Sequence, residues 1–225
     1  MLRTTIAVTA VAIAATCGLA ACGPVRMGSA AIAGGERISS TTLGNEVTNL
    51  TQAYQAHKSK IQLQFPPSEA PQEVLTWLLR FRIRDEVAVR NHVFVSRGES
   101  QQALKAIGAQ AQGGAAGLRN LAVANGLPPD MLPDLGRYQA IENSLVDRLD
   151  GGVLPKSQTG LATLNAALNR QECLAAKSLS IQVNPRFGQM NYSQTDTVIP
   201  AMSTLSAPVT PSPAPSPAPV PNPPC

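Results

Sequence analysis

A mostly α-helical domain of about five to six helices, closed by a small pair of terminal strands, is the fold that this 225-residue sequence predicts. Three observations predict it. Apolar residues recur at steps of three and four through most of residues 40–177, the spacing of one helix face. The runs begin at capping residues and end at glycine or proline. Short apolar stretches bounded by turn residues stand at either end, at Ala31-Ile32-Ala33-Gly34-Gly35 and Ile181-Gln182-Val183-Asn184-Pro185, as strands do.

The chain opens with Arg3, a mostly apolar run from Ile6 to Ala15 and the small residues Ala20-Ala21, the parts of a secretory signal. A bilayer-spanning helix takes about 20 apolar residues, so this run is too short to anchor the chain by itself. Leu19-Ala20-Ala21-Cys22 resembles a bacterial lipobox; an ordinary signal with a chance cysteine is the alternative. The resemblance implies that residues 1–21 are a lipoprotein signal peptide and that Cys22 carries acyl chains such as palmitate. Two or more chains hold a protein at a membrane surface where one does not. The expected location is extracytoplasmic, lipid-anchored at the outer face of the cell membrane.

Residues 22–30 read as a tether and residues 31–200 as the folded domain. The stretch AIAGGERIS predicts a strand, or half of a hairpin, turned at Gly34-Gly35. Ser39 suits a helix N-cap, with Ile38 placed to close on Leu43 as a hydrophobic staple. Leu43, Val47, Leu50, Tyr54, His57 and Ile61 then predict a first helix that lasts until Pro66-Pro67. A second helix is predicted from about Pro71 to Val93. Val74, Leu75, Leu78, Leu79, Phe81, Ile83 and Val87 make it apolar on most sides, hence central. Alternation at Arg80-Phe81-Arg82-Ile83-Arg84 is strand-like, but the surrounding periodic run has the length of a helix.

Ser96 and Glu99 form a capping-box signal for a third helix carrying Leu104 and Ile107. Residues 113–117, GGAAG, interrupt it, and a short helix from Leu118 to Asn125 closes at Gly126. Met131, Leu135, Tyr138, Ile141, Leu145 and Leu149 mark a long fifth helix ended by Gly151-Gly152. Leu161, Leu164 and Leu168 mark a last one reaching Lys177. Ile181 and Val183 alternate into a strand that pairs with the N-terminal one.

Residues 201–225 carry no charge, and from Ala207 onward nine of nineteen residues are proline. Such a composition cannot form a core; it predicts a disordered, extended polyproline II tail reaching about 60 Å. A solvated tail, a spacer through a cell-wall layer and a ligand for a partner groove are all consistent with it.

Chemistry is sparse. The formal charge is +4 and the basic residues are scattered. Arg80, Arg82 and Arg84 would stand at about 0°, 200° and 40° around a helix, not on one face, so no nucleic-acid surface is expected. His57 lies on the apolar stripe of the first helix as a packed or half-exposed side chain, and His92 near the end of the second suits a helix C-terminus. Asp85 and Glu86 are adjacent and diverge by about 100°, a poor geometry for paired-carboxylate chemistry. Metal-ligand spacings, nucleophile elbows and phosphate loops are missing, so neither an enzyme nor a cofactor is expected. If, as the lipobox resemblance implies, Cys17 leaves with the signal and Cys22 is acylated, Cys173 and Cys225 are left. These can pair in an oxidising compartment, or remain two lone thiols.

Three features together resemble a known family. Ala31-Ile32-Ala33-Gly34-Gly35-Glu36-Arg37-Ile38-Ser39 ahead of an amphipathic helix is similar to the start of the SurA N-terminal domain, as is the order of helices that follows. Val183-Asn184-Pro185-Arg186-Phe187-Gly188 resembles the closing strand and turn of actinobacterial lipoproteins that carry a SurA-like domain. The resemblance covers about residues 30–200. It implies a chaperone fold that holds unfolded exported polypeptides. Many relatives carry parvulin domains, but residues 95–118 pass from helix to helix without room for one, so isomerase activity is not implied. The family defines no functional residues to transfer.

A surface that holds many clients must be apolar and tolerant of sequence. Trp77 and Phe81, one turn apart, and Met131, Leu132 and Tyr138 are the candidate client-binding residues, expected to line a groove between the second and fifth helices; the alternative is that they are core. Two functions fit the sequence: a chaperone-like module for unfolded polypeptides, and a surface adaptor lipoprotein that binds one folded partner or wall component.

Overall fold

The computed structural model describes residues 28–152, 155–192 and 197–199. Among these residues it is 67% helical, with six helices and two small antiparallel sheets. The predicted signal peptide, Cys22 with its expected acylation, and the proline-rich tail lie outside the described residues.

Strands β1 (Ser29–Ala33) and β2 (Glu36–Ser39) form the full hairpin of which the sequence promised at least half. Its turn holds Gly34 at φ 60° and Gly35 at φ 81°, a backbone that side-chain-bearing residues rarely adopt. The tip is pinned by the Gly34 N–H, which donates to Leu179 O at 2.7 Å. Ser39 caps α1 (Ser40–Ala56) through the Thr42 N–H at 2.9 Å, and Ile38 and Leu43 are both buried, as a staple requires.

Helix α1 ends at Ala56, short of the predicted Pro66. His57 to Lys60 are polar and exposed, so the helix has no face left to bury. Ile61-Gln62-Leu63-Gln64-Phe65 then alternates inward and outward as extended chain, tied to the neighbouring helix by the Gln64 N–H donating to Ala124 O at 2.8 Å. Ile61 does reach the core, but from a strand-like segment.

Helix α2 (Ala70–Arg90) is the central element, packed by α1, α5 and α6. Val74, Leu75, Leu79, Ile83 and Val87 enter the main core, and Trp77, Leu78 and Phe81 contact a second cluster built on Leu118, Leu127, Met131 and Leu132. The helix stops three residues before the predicted Val93: Asn91 caps it and His92 turns left-handed at φ 51°.

Ser96 and Glu99 complete their capping box on α3 (Arg97–Gln110). The glycine-rich break is shorter than expected. Gly113 forms the turn and α4 (Gly114–Ala124) already includes residues 115–117. A single tight turn at Pro129–Met131 leads into α5 (Leu132–Asp150), and α6 (Gln158–Ser178) follows.

Strand β3 (Gln182–Val183) pairs antiparallel with β1, as the sequence predicted, placing β1 in the middle of the first sheet. Asn184 secures the edge by donating to Ser29 O through its side chain and to Ala30 O through its backbone, both at 2.9 Å. A second hairpin, β4 (Gln189–Asn191) with β5 (Thr197–Ile199), was not foreseen. Buried Thr76 on α2 holds it through the Val198 N–H at 3.2 Å. Among the described residues no helix is long and apolar enough to cross a membrane.

Candidate functional site

Helix α2 presents Glu73, Trp77 and Arg80, at steps of four and three, to one wall of a groove of about 520 Å³. Phe65 from the extended segment and Leu121 from α4 face them, over a floor of Ile107, Leu118, Leu127 and Leu135. Leu121 remains 56% exposed. Cavities that bind small ligands or peptide side chains fall at roughly 300–1,000 Å³ and are lined mainly by apolar groups. A larger cavity of about 770 Å³ between α3 and α5 is edged by Arg97, Gln101, Asp134 and Arg137 and lacks aromatic groups. His57 opens with Arg119 and Asp130 onto a third of about 340 Å³.

Trp77 is locked in place. Its indole N–H donates to Asn125 O at 2.8 Å, the Arg80 guanidinium lies 4.9 Å from its ring centroid, and Phe81 tilts against it at 5.8 Å. Gly126, at φ 78°, makes room for this wall: a Cβ there would come within 2.5 Å of the Glu73 Cβ and 3.4 Å of Phe65. Burial raises the Glu73 carboxyl above its ordinary range, with Arg80 pulling the other way.

The aromatic series continues inward. Phe81 meets the edge of Tyr138 at 6.2 Å, and the Arg84 guanidinium covers the Tyr138 ring at 4.0 Å. Arg84, only 4% exposed, donates through Nη2 to Tyr138 Oη, to Glu142 at 3.2 Å and to Glu172. Its Nε and Nη1 make no hydrogen bond among the described residues. Burial opposes the charge on Arg84, but Tyr138, Glu172 and Glu142 outweigh it and raise its pKa. Burial likewise pushes Tyr138 up to about 12 against the pull of Arg84.

Of the five candidate residues, Trp77 alone lines the groove. Phe81 packs behind it, Met131 and Leu132 are buried in the second cluster, and Tyr138 belongs to the buried ion cluster. The groove therefore opens between α2 and α4, with α5 contributing floor, rather than between α2 and α5 as expected. Met131 turned inward because the Pro129–Met131 turn aims it at Leu127 and Leu118. Sequence reasoning missed Phe65 and Leu121. The alternation of residues 61–65 signalled the first; nothing in the sequence marked the second.

The three arginines expected to diverge do so: Arg80 covers Trp77, Arg82 pairs with Glu36 at the surface, and Arg84 is buried. His57 is exposed, and so is His92, whose carbonyl accepts from Arg148 at 2.8 Å. Cys173 is half-buried on α6 and disulfide-bonded, not a lone thiol; Cys225, its candidate partner, lies outside the described residues. Among the described residues no three His, Cys, Asp or Glu side chains gather where they could hold a metal ion.

Comparison with known proteins finds no match to any family model, curated protein or solved structure.

Proposed function

We infer that the protein is a SurA-like, chaperone-like module, lipid-anchored through Cys22 at the outer face of the cell membrane, that holds apolar segments of unfolded exported polypeptides in the Trp77 groove. It does so without isomerase chemistry. The groove itself carries the reading: apolar side chains from five separate elements converge on a space open to solvent, with Leu121 held out into it. Such a lining gains by burying apolar surface of almost any sequence, because the hydrophobic effect is non-directional.

The test is light scattering from a chemically unfolded, aggregation-prone protein mixed with this one. Suppression near equimolar ratio is expected, together with a shift in Trp77 emission. Leu121→Asp, on an exposed position, should weaken both. A folded protein that leaves aggregation unchanged sinks the reading.

One observation favours the adaptor reading instead. Phe94 is 89% exposed on a braced loop: Arg148 donates to the carbonyls of Asn91 and His92, and neighbouring Val93 is buried. A rigidly presented aromatic ring suits docking to one folded partner or wall component. A photo-crosslinking residue at position 94 that yields a single saturable adduct in cells would support it.

A further inference from the structure

We propose that the proline-rich end of this same chain, residues 207–224, occupies the Trp77 groove when no client is bound. The inference rests on the groove's being the client site only for its regulatory consequence; the docking itself does not depend on it.

The described chain ends close to the groove. Val198 of β5 is hydrogen bonded to Thr76 on α2, and Ile199 is the last described residue. Thr76 adjoins Trp77 in sequence and lies one helical turn from both Glu73 and Arg80, which line the groove. The described chain therefore ends against the helix that forms the groove's wall. Seven residues separate Ile199 from Ala207. Extended at about 3.1 Å each, they cover about 20 Å. The wall from Glu73 to Arg80 is about 10 Å long, which three or four polyproline II residues would span.

The segment and the groove also fit chemically. The segment is APVTPSPAPSPAPVPNPP, uncharged and of a composition that favours polyproline II, so docking would cost it little conformational entropy. Polyproline II segments dock in aromatic-lined grooves. Trp77 and Phe65 supply the aromatic surface here, with Leu121 between solvent and floor. A proline-rich stretch offers backbone carbonyls and few N–H groups. The groove rim offers donors: the side-chain amides of Gln64 and Asn125 each give one N–H within the protein, to Gln62 O at 3.3 Å and Leu121 O at 2.8 Å, and each carries a second.

Linkage also favours docking. A short flexible connection gives an effective concentration of about 1 mM, so a segment with an intrinsic affinity of only about 0.25 mM fills the groove about four-fifths of the time. Clients then see a site that is about one-fifth available, and their apparent affinity falls about fivefold. The tail acts as a weak internal competitor that any good client displaces.

The experiment compares the full chain with a full-length variant in which the nine prolines of residues 208–224 are replaced by serine and Cys225 is kept. Trp77 is the only tryptophan, so its emission reports on the groove directly. Expected in the variant are red-shifted emission and faster amide exchange in residues 61–65 and 118–125. A synthetic peptide of residues 207–224, added at millimolar concentration, should reverse both. Identical emission and exchange in the two proteins, with no response to the peptide, overturn the proposal. Client aggregation assays on the same pair separate the two ideas. Groove signals that respond to the tail while neither protein suppresses aggregation leave the docking standing and remove the chaperone reading. Equal suppression by both, with silent groove signals, does the reverse.

Discussion

Trp77 on α2 donates its indole N–H to the backbone carbonyl of Asn125 at 2.8 Å, joining positions 48 residues apart. That bond fastens the end of α4 against α2 and sets the width of the groove. Trp77→Phe keeps an aromatic ring but leaves the Asn125 carbonyl without this donor. It is expected to lower stability by about 1 kcal/mol, measured by urea unfolding followed by circular dichroism. Trp77→Ala, which also empties the aromatic contact with Phe81, should cost more than Trp77→Phe but less than the ~3–5 kcal/mol of a fully buried aromatic, because Trp77 is only half-buried.

Arg84 faces Glu142 and Glu172 in the interior between α2, α5 and α6. Arg84→Met would leave the two carboxylates without their buried cation, a loss of about 3–5 kcal/mol. The triple variant Arg84→Met, Glu142→Gln, Glu172→Gln should recover most of that. Unfolding free energies of the single and triple variants check this; a triple variant no more stable than Arg84→Met would show that packing, not charge pairing, holds this region.

Alkaline stability depends on Tyr138. Its folded pKa is raised from 10.0 to about 12, chiefly by burial. The fold therefore favours the protonated phenol, and this contribution is complete below pH 10, then lost as pH rises towards 12. Tyr138→Phe should flatten the decline in unfolding free energy across that window. A smaller slope must remain from Tyr192, which burial also raises.

Glu73 gives a second, milder pH effect. Its carboxyl is raised above 4.5 by burial, so folding favours the protonated form, and stability falls as pH rises through the shifted value. Glu73→Gln should thus be more stable than the parent at neutral pH and converge with it in acid. Midpoints of thermal unfolding measured from about pH 4 to pH 7 test the sign. The same variant, with a less polar groove wall, should bind apolar peptides more tightly.

Much of the helical framework was legible from local sequence. Ser39 and the Ser96–Glu99 pair cap as their residue types dictate, because capping satisfies backbone N–H groups within one turn. The centrality of α2 followed from its apolar residues lying on most sides. Boundaries were less legible. Ile61 fitted a helical stripe and an extended alternation equally well, and the polar residues 57–60 decided against the helix. Met131 and Leu132 illustrate the same difficulty for the site. An apolar residue on a periodic stripe gains by burial whether it lines a groove or fills a core, and spacing alone cannot separate the two.

What the sequence determined by itself was therefore local and periodic: most of the helical framework, the turn at Gly34-Gly35, the β1–β3 closure and the divergence of the three arginines. Only the tertiary structure decided the rest. It brought Phe65, Trp77 and Leu121 from three separate elements to one groove, and it buried Arg84 against carboxylates on two other helices. The physical reason is range. Capping, turn geometry and helical spacing act within a few residues, whereas a groove is the space left over once distant side chains have packed as closely as they can.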